Sequence, residues 1–154
     1  HCHAKVNAVV VLSHEQRERG RLRLHSTEGM EVRLFLERGK PLKVGEYLKS
    51  QCGQVVRIEG AVEDVMMAQC TDWPTFARAC YHLGNRHVKV QVGELWLRIK
   101  PDHVLGDMLA QLGLTVHLQQ AVFVPESGAY AKAAAHHHHH DHDHGHHHDD
   151  AHDH

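Results

Sequence analysis

The hydrophobic period of the chain changes at Gly60, and that change divides it into two differently built parts. Before it, Leu22 and Leu24 alternate with Arg21, Arg23 and His25, and Val32, Leu34 and Leu36 alternate with Glu31, Arg33 and Glu37. A period of two is that of strands with one buried face. Glu28-Gly29 between the two runs predicts a hairpin turn, and Gly39-Lys40-Pro41, Gly45, Gly53 and Gly60 punctuate the remainder. No helical period of useful length occurs in this part, which reads as a small all-β domain.

After Gly60 the stretch 62–69, VEDVMMAQ, is strand-like. Asp72 and Pro74 then supply a helix start, Phe76, Ala79, Cys80 and Leu83 fall on one helical face, and Gly84 is the expected stop. Val88, Val90 and Val92 predict a strand, Gly93-Glu94 a tight turn, and Leu95, Leu97 and Ile99 a second strand. Asp102 is placed to cap a helix whose apolar face is Val104, Leu105, Met108, Leu109 and Leu112, with Gly113 ending it and a last strand over roughly 115–124. The order β-α-β-β-α-β is that of a ferredoxin-like unit. The fold class expected is α+β: an all-β domain over 1–68, a ferredoxin-like domain over 69–130, and a tail over 131–154 that is disordered without metal. The run PESGAYAKAAA from Pro125 is expected to be a linker with nothing to pack against.

The tail proper, residues 136–154, holds twelve histidines, five aspartates, one glycine and one alanine. It has no side chain that could seed a core. Imidazole with carboxylate is a donor set for borderline divalent metals, and a flexible chain can wrap it around an ion. The absence of thiol and thioether from the run argues against copper(I) and iron–sulfur chemistry, leaving nickel, zinc, cobalt or copper(II). A purification tag would be a uniform block; here Asp141, Asp143, Asp149, Asp150 and Asp153 interrupt it. The candidate ligands are His136, His137, His138, His139, His140, His142, His144, His146, His147, His148, His152 and His154. Near pairs such as His142 with His144 can chelate locally and rearrange freely.

Charge and cysteine usage exclude several function classes. The tail carries five of the nineteen acidic residues and none of the seventeen basic ones, so the body is about +3 and the tail about −5 with neutral histidines. Neither value suggests a nucleic-acid partner. No apolar run has the length of a membrane span and no secretory signal is recognisable, so a cytoplasmic location is expected. Cys2, Cys52, Cys70 and Cys80 have no CxxC spacing, which disfavours a disulfide framework or tetrathiolate zinc. Cys70 and Cys80 are expected to be buried small hydrophobes. His1-Cys2-His3 could bind a metal, but a frayed or non-native terminus is the simpler account. No GxSxG, phosphate loop, HExxH or paired Cys and His occurs in a recognisable context, and no enzymatic activity is expected.

In the body, the segment Tyr81 to His87 runs from the last turn of the first predicted helix into the next strand. Gly84 and Asn85 suit a sharp helix exit, and strand phase places His87 with Lys89 and Gln91, facing away from the valines. One exposed imidazole holds a metal weakly. A two-fold axis beside it would bring a second copy within reach. His14, His25 and His117 have no histidine neighbour at useful spacing and are expected to be surface residues.

The segments CYHLGNRH (Cys80 to His87), DHVLGDML (Asp102 to Leu109), LGLTV (Leu112 to Val116) and FVPESGAYA (Phe123 to Ala131), in this order and ending in a histidine-rich tail, resemble the UreE family of urease accessory proteins. RGKPLKVGEYL (Arg38 to Leu48) resembles part of the same family's N-terminal domain. The resemblance spans about residues 15–154. It implies a homodimeric, cytoplasmic nickel metallochaperone that carries Ni(II) for assembly of the urease active site, with Zn(II) or Cu(II) able to substitute in vitro. The implied partners are the urease accessory GTPase and the urease apoprotein–accessory complex, with no nucleic acid and no membrane. It further implies a peptide-binding-like N-terminal domain and a metal site built from His87 of both protomers and completed by tail histidines.

His82 and His103 match positions of additional metal sites in some members, although Pro101 stands where some have another histidine. A surface role remains open for His82, because an imidazolium is favoured at a helix C-terminus, and for His103, because the positive end of a helix disfavours a cation. Two other readings of the chain are a general nickel or zinc store whose tail is the whole function, and a peptide-binding adaptor in which metal controls dimerisation.

Overall fold

The computed structural model describes residues 8–35, 40–49 and 53–128. The chain is a mixed α+β protein in which two successive units each have a core of their own.

In the first unit, β1 (Ala8–Leu12) runs parallel to β5 (Val55–Gly60), which pairs antiparallel with β4 (Tyr47–Lys49). A separate hairpin joins β2 (Arg21–His25) to β3 (Glu31–Phe35) in the register Leu22 opposite Leu34. The period-two pattern has the expected consequence: Leu22 and Leu34 are buried with Val10, Leu12 and Ile58, while Arg21, Arg23, Arg33 and Glu31 face outward. At the hairpin turn Gly29 takes φ +85° and donates its N–H to Ser26 O at 2.9 Å, which a side chain at that position would resist.

One element of this unit contradicts the all-β expectation. Ser13 caps a five-residue helix, α1 (His14–Glu18): its hydroxyl accepts from Gln16 N at 3.2 Å, and Gln16 Oε1 accepts from Ser13 N at 3.0 Å. A helix this short has no measurable hydrophobic period. Its legible signal was the capping box, Ser-x-x-Gln. Leu36 and Glu37, expected to extend β3, lie outside the described residues.

The second unit has the expected order. β6 (Val62–Gln69), α2 (Trp73–Asn85), β7 (Gln91–Val92), β8 (Trp96–Ile99), α3 (His103–Leu112) and β9 (Thr115–Val122) form an antiparallel sheet in the order β7-β8-β6-β9 with two helices. β8 thus lies between β6 and β7, as in a split βαβ unit. A division at residue 68 would cut β6 away from β8 and β9, to which all its strand bonds run. The sheet therefore begins at Val62.

Ala79, Leu83, Leu97, Ile99 and Leu109 are fully buried between helices and sheet. Burying a leucine-sized side chain is worth about 1.5–3 kcal/mol, so this cluster is the chief source of stability for the unit. Asp72 and Asp102 cap the helices, each accepting a backbone N–H at 3.0 Å, from Thr75 and Leu105 respectively. Gly113 ends α3 with φ +107°.

Candidate functional site

The exit of α2 is where structure and expectation part. The helix passes through Gly84 and Asn85 and stops one residue later, with Arg86 as its cap. His87 N donates to Gly84 O at 3.0 Å and Val88 N to Leu83 O at 3.1 Å. These are the two bonds of a Schellman motif, whose left-handed position is normally glycine. Here that residue is His87, at φ +56°. A left-handed conformation costs an L residue about 1–2 kcal/mol relative to the right-handed one. Val88 packs on the core beside Leu83 and anchors the motif, and Arg86 Nη1 lies 2.8 Å from the Met108 sulfur of α3.

The strand expected over Val88, Val90 and Val92 is reduced to Gln91–Val92. Val88 and Val90 are half-buried against the core without belonging to the ladder. His87 is thus presented by a turn, not by a strand face. It is exposed, as expected.

The first residues of the expected linker, as far as Gly128, are not unattached as their composition suggested. Val124 N donates to Gln91 Oε1 at 3.0 Å, and Glu126 N donates to Val90 O at 2.7 Å. The chain leading to the tail therefore runs back beside the residues that follow His87. Small and polar composition concealed this, because the Glu126 bond joins backbone groups that every non-proline residue carries.

The other proposed ligands are distributed over the same unit. His82 is exposed in the last turn of α2, its ring edge-on to Tyr81 with centroids 5.4 Å apart. His103 is exposed as the first residue of α3, on a groove lined by Met66, Pro101, Asp102, Val104 and Leu118. Among the described residues no three His, Cys, Asp or Glu side chains converge to hold an ion. All twelve tail histidines, His136 to His154, lie outside the described residues, as do His1, Cys2, His3 and Cys52.

His25 and His117 are exposed, as expected, but His14 is not: only 8 % of it is accessible. Its burial follows from α1, which the alternation of the flanking strands did not reveal. Cys70 and Cys80 are half-buried against the core, and burial, together with the neighbouring Cys70, raises the Cys80 thiol above its ordinary value. Among the described residues no helix is long and apolar enough to cross a membrane.

Comparison with known proteins agrees with the motifs on both sides of Ala61. Residues 1–61 match the family described as UreE urease accessory protein, N-terminal domain, and residues 63–154 its C-terminal domain. The chain is 64% identical over 136 residues to the urease accessory protein UreE of Marinomonas sp. (strain MWYL1), covering 88% of this chain and 92% of that protein. It is 45% identical over 133 residues to the protein of the same name from Alteromonas mediterranea, covering 86% of each. Against the one from Pseudomonas savastanoi pv. phaseolicola it is 49% identical over 126 residues, covering 81% of this chain and 76% of that protein. With both domains matched in order and relatives aligned over most of their length, the chain belongs to the UreE family of urease accessory proteins.

Proposed function

We propose that this protein is an accessory factor of urease maturation and no enzyme itself: a cytoplasmic nickel metallochaperone that works as a homodimer. Its Ni(II) cargo is held by His87 of both protomers and by histidines of the tail. The observation that carries this reading is the bond from Glu126 N to Val90 O, which tethers the chain leading to the tail three residues from His87. From Gly128 to His136 is eight residues, a reach of up to about 26 Å when extended, so tail imidazoles can meet an ion at His87. A strained, exposed histidine at a position suited to glycine is the kind of local cost found at functional sites.

Two imidazoles on a dyad and further ones from a flexible chain make a site that can be emptied one ligand at a time. Release would follow when a partner competes for the tail ligands; the partners in view are the urease accessory GTPase and the urease apoprotein–accessory complex. Intrinsic affinity favours copper(II) over nickel, and Zn(II) also suits the donors, so metal identity is set by availability and docking. His82 and His103 each offer one surface imidazole to auxiliary ions.

The test is nickel stoichiometry and coordination measured in parallel on the full chain, on a chain ending at Ala135, and on His87→Ala. The shortened chain is expected to lose most of its ions and to keep one per dimer, which His87→Ala removes. Loss of all binding on shortening would favour a nickel or zinc store.

A further inference from the structure

The two units meet at α1. His14 donates its backbone N–H to Glu63 Oε2 of β6 at 2.9 Å, and its ring stands edge-on to Phe123 just beyond β9, with centroids 5.4 Å apart. Arg17, 3 % exposed, donates to Leu12 O at 2.7 Å and to Phe123 O. Beside the junction, Ala61 N bonds Leu12 O at 2.8 Å and extends the β1–β5 ladder by one residue.

The surroundings of the His14 imidazole suit its neutral form. Nε2 lies 3.0 Å from Glu18 Oε1, while Nδ1 is buried with no hydrogen-bond partner among the described residues. The neutral tautomer with the proton on Nε2 satisfies this arrangement, because Nε2–H donates to the carboxylate and Nδ1 carries only a lone pair. A second proton would create a buried N–H with no acceptor.

The charged groups around the ring oppose one another. Glu18 on the same helix favours the protonated form, and Glu63 stands at its backbone. Arg17 on α1, Lys89 from the segment between α2 and β7, and Lys100 after β8 disfavour it. Burial is the largest influence and sets the direction: the imidazole is held below its ordinary value of 6.5.

We propose that His14 is an acid-operated latch between the two units: neutral, it seats α1 against Phe123 and Glu63; protonated, it leaves the junction and the units part. The group binds its proton more readily when the junction is open. The contribution of the latch is therefore complete above about pH 6.5 and is lost as the pH falls from there through the lower value of the closed state. The metal ligands proposed above do not include His14, so the latch is testable without metal.

The experiment is hydrogen–deuterium exchange on the metal-free full chain between pH 7.5 and 5.5, expressed as protection factors to remove intrinsic pH effects. The expected result is that protection of the His14 amide, which bonds across to Glu63, falls several-fold and by no more than about tenfold, whereas the Leu83 and Leu109 amides of the second core keep theirs. In His14→Gln, which retains a donor toward Glu18 but cannot take up a proton, protection at the junction is expected to be independent of pH. Unchanged protection in the unaltered protein, or an equal loss in His14→Gln, overturns the proposal. NMR titration of the unaltered protein reads the same group without substitution: a His14 ring midpoint below 6.5 that coincides with the shift of the His14 amide bonded to Glu63 supports the latch, and one at or above 6.5 overturns it.

Discussion

Glu126 donates its backbone N–H to the carbonyl oxygen of Val90 at 2.7 Å, and this bond brings the chain leading to the tail beside the turn that presents His87. His87 and the last described residues before the tail, far apart in sequence, thereby share one edge of the second unit. Tethering raises the effective concentration of tail ligands at the turn without adding a contact to the ion. Glu126→Pro removes the donor and is expected to weaken nickel binding about three- to tenfold, while Glu126→Ala, which keeps the N–H, leaves it unchanged. Calorimetric titration of both variants checks this.

His87 occupies a left-handed position that glycine would fill without strain. His87→Gly is expected to leave the metal-free protein as stable as before or up to about 1 kcal/mol more stable, since relief of the left-handed conformation exceeds the added flexibility of the unfolded chain. His87→Ala retains the strain and brings no such gain. Both variants should lose the interface ion. Urea unfolding beside nickel titration separates the two effects, and a clear loss of stability in His87→Gly would contradict the strain argument.

Imidazole binds metal only when neutral, so loading competes with protons. Nickel stoichiometry of the full chain is expected to be highest at pH 8 and to fall steeply below about pH 6.5, the ordinary histidine value. Equal stoichiometry at pH 5 and pH 8 would exclude a site made mainly of histidine.

Arg17 is buried, and its guanidinium serves the carbonyl groups of Leu12 and Phe123. Arg17→Met keeps much of the volume but removes both donors. Leu12 O retains its bond from Ala61 N, whereas Phe123 O loses its guanidinium partner. The expected cost is about 1–3 kcal/mol, seen as a lower urea midpoint and faster amide exchange at Ala61.

Much of this architecture was legible before any coordinate. The alternation around Leu22 and Leu34 assigned the buried face of the hairpin, and Asp72, Asp102 and Gly113 marked helix ends, because strand faces and caps are local properties of a few neighbouring residues. The metal-binding role proposed for residues 136–154 rests on composition alone, and those residues lie outside the described ones. Other features depended on partners distant in sequence. The parallel pairing of β1 with β5, the burial of His14 beneath Phe123, and the return of Glu126 to Val90 join residues whose side chains announce nothing of one another. At α2 the local signal itself misled: Gly84 is the preferred stop, yet the helix continues to Asn85, the left-handed turn falls at His87, and Val88 then packs against the core that contains Leu83. Sequence alone named the candidate metal ligands; tertiary packing decided which histidine stands at the turn and where the chain after β9 is held, since both are set by long-range burial and backbone hydrogen bonds.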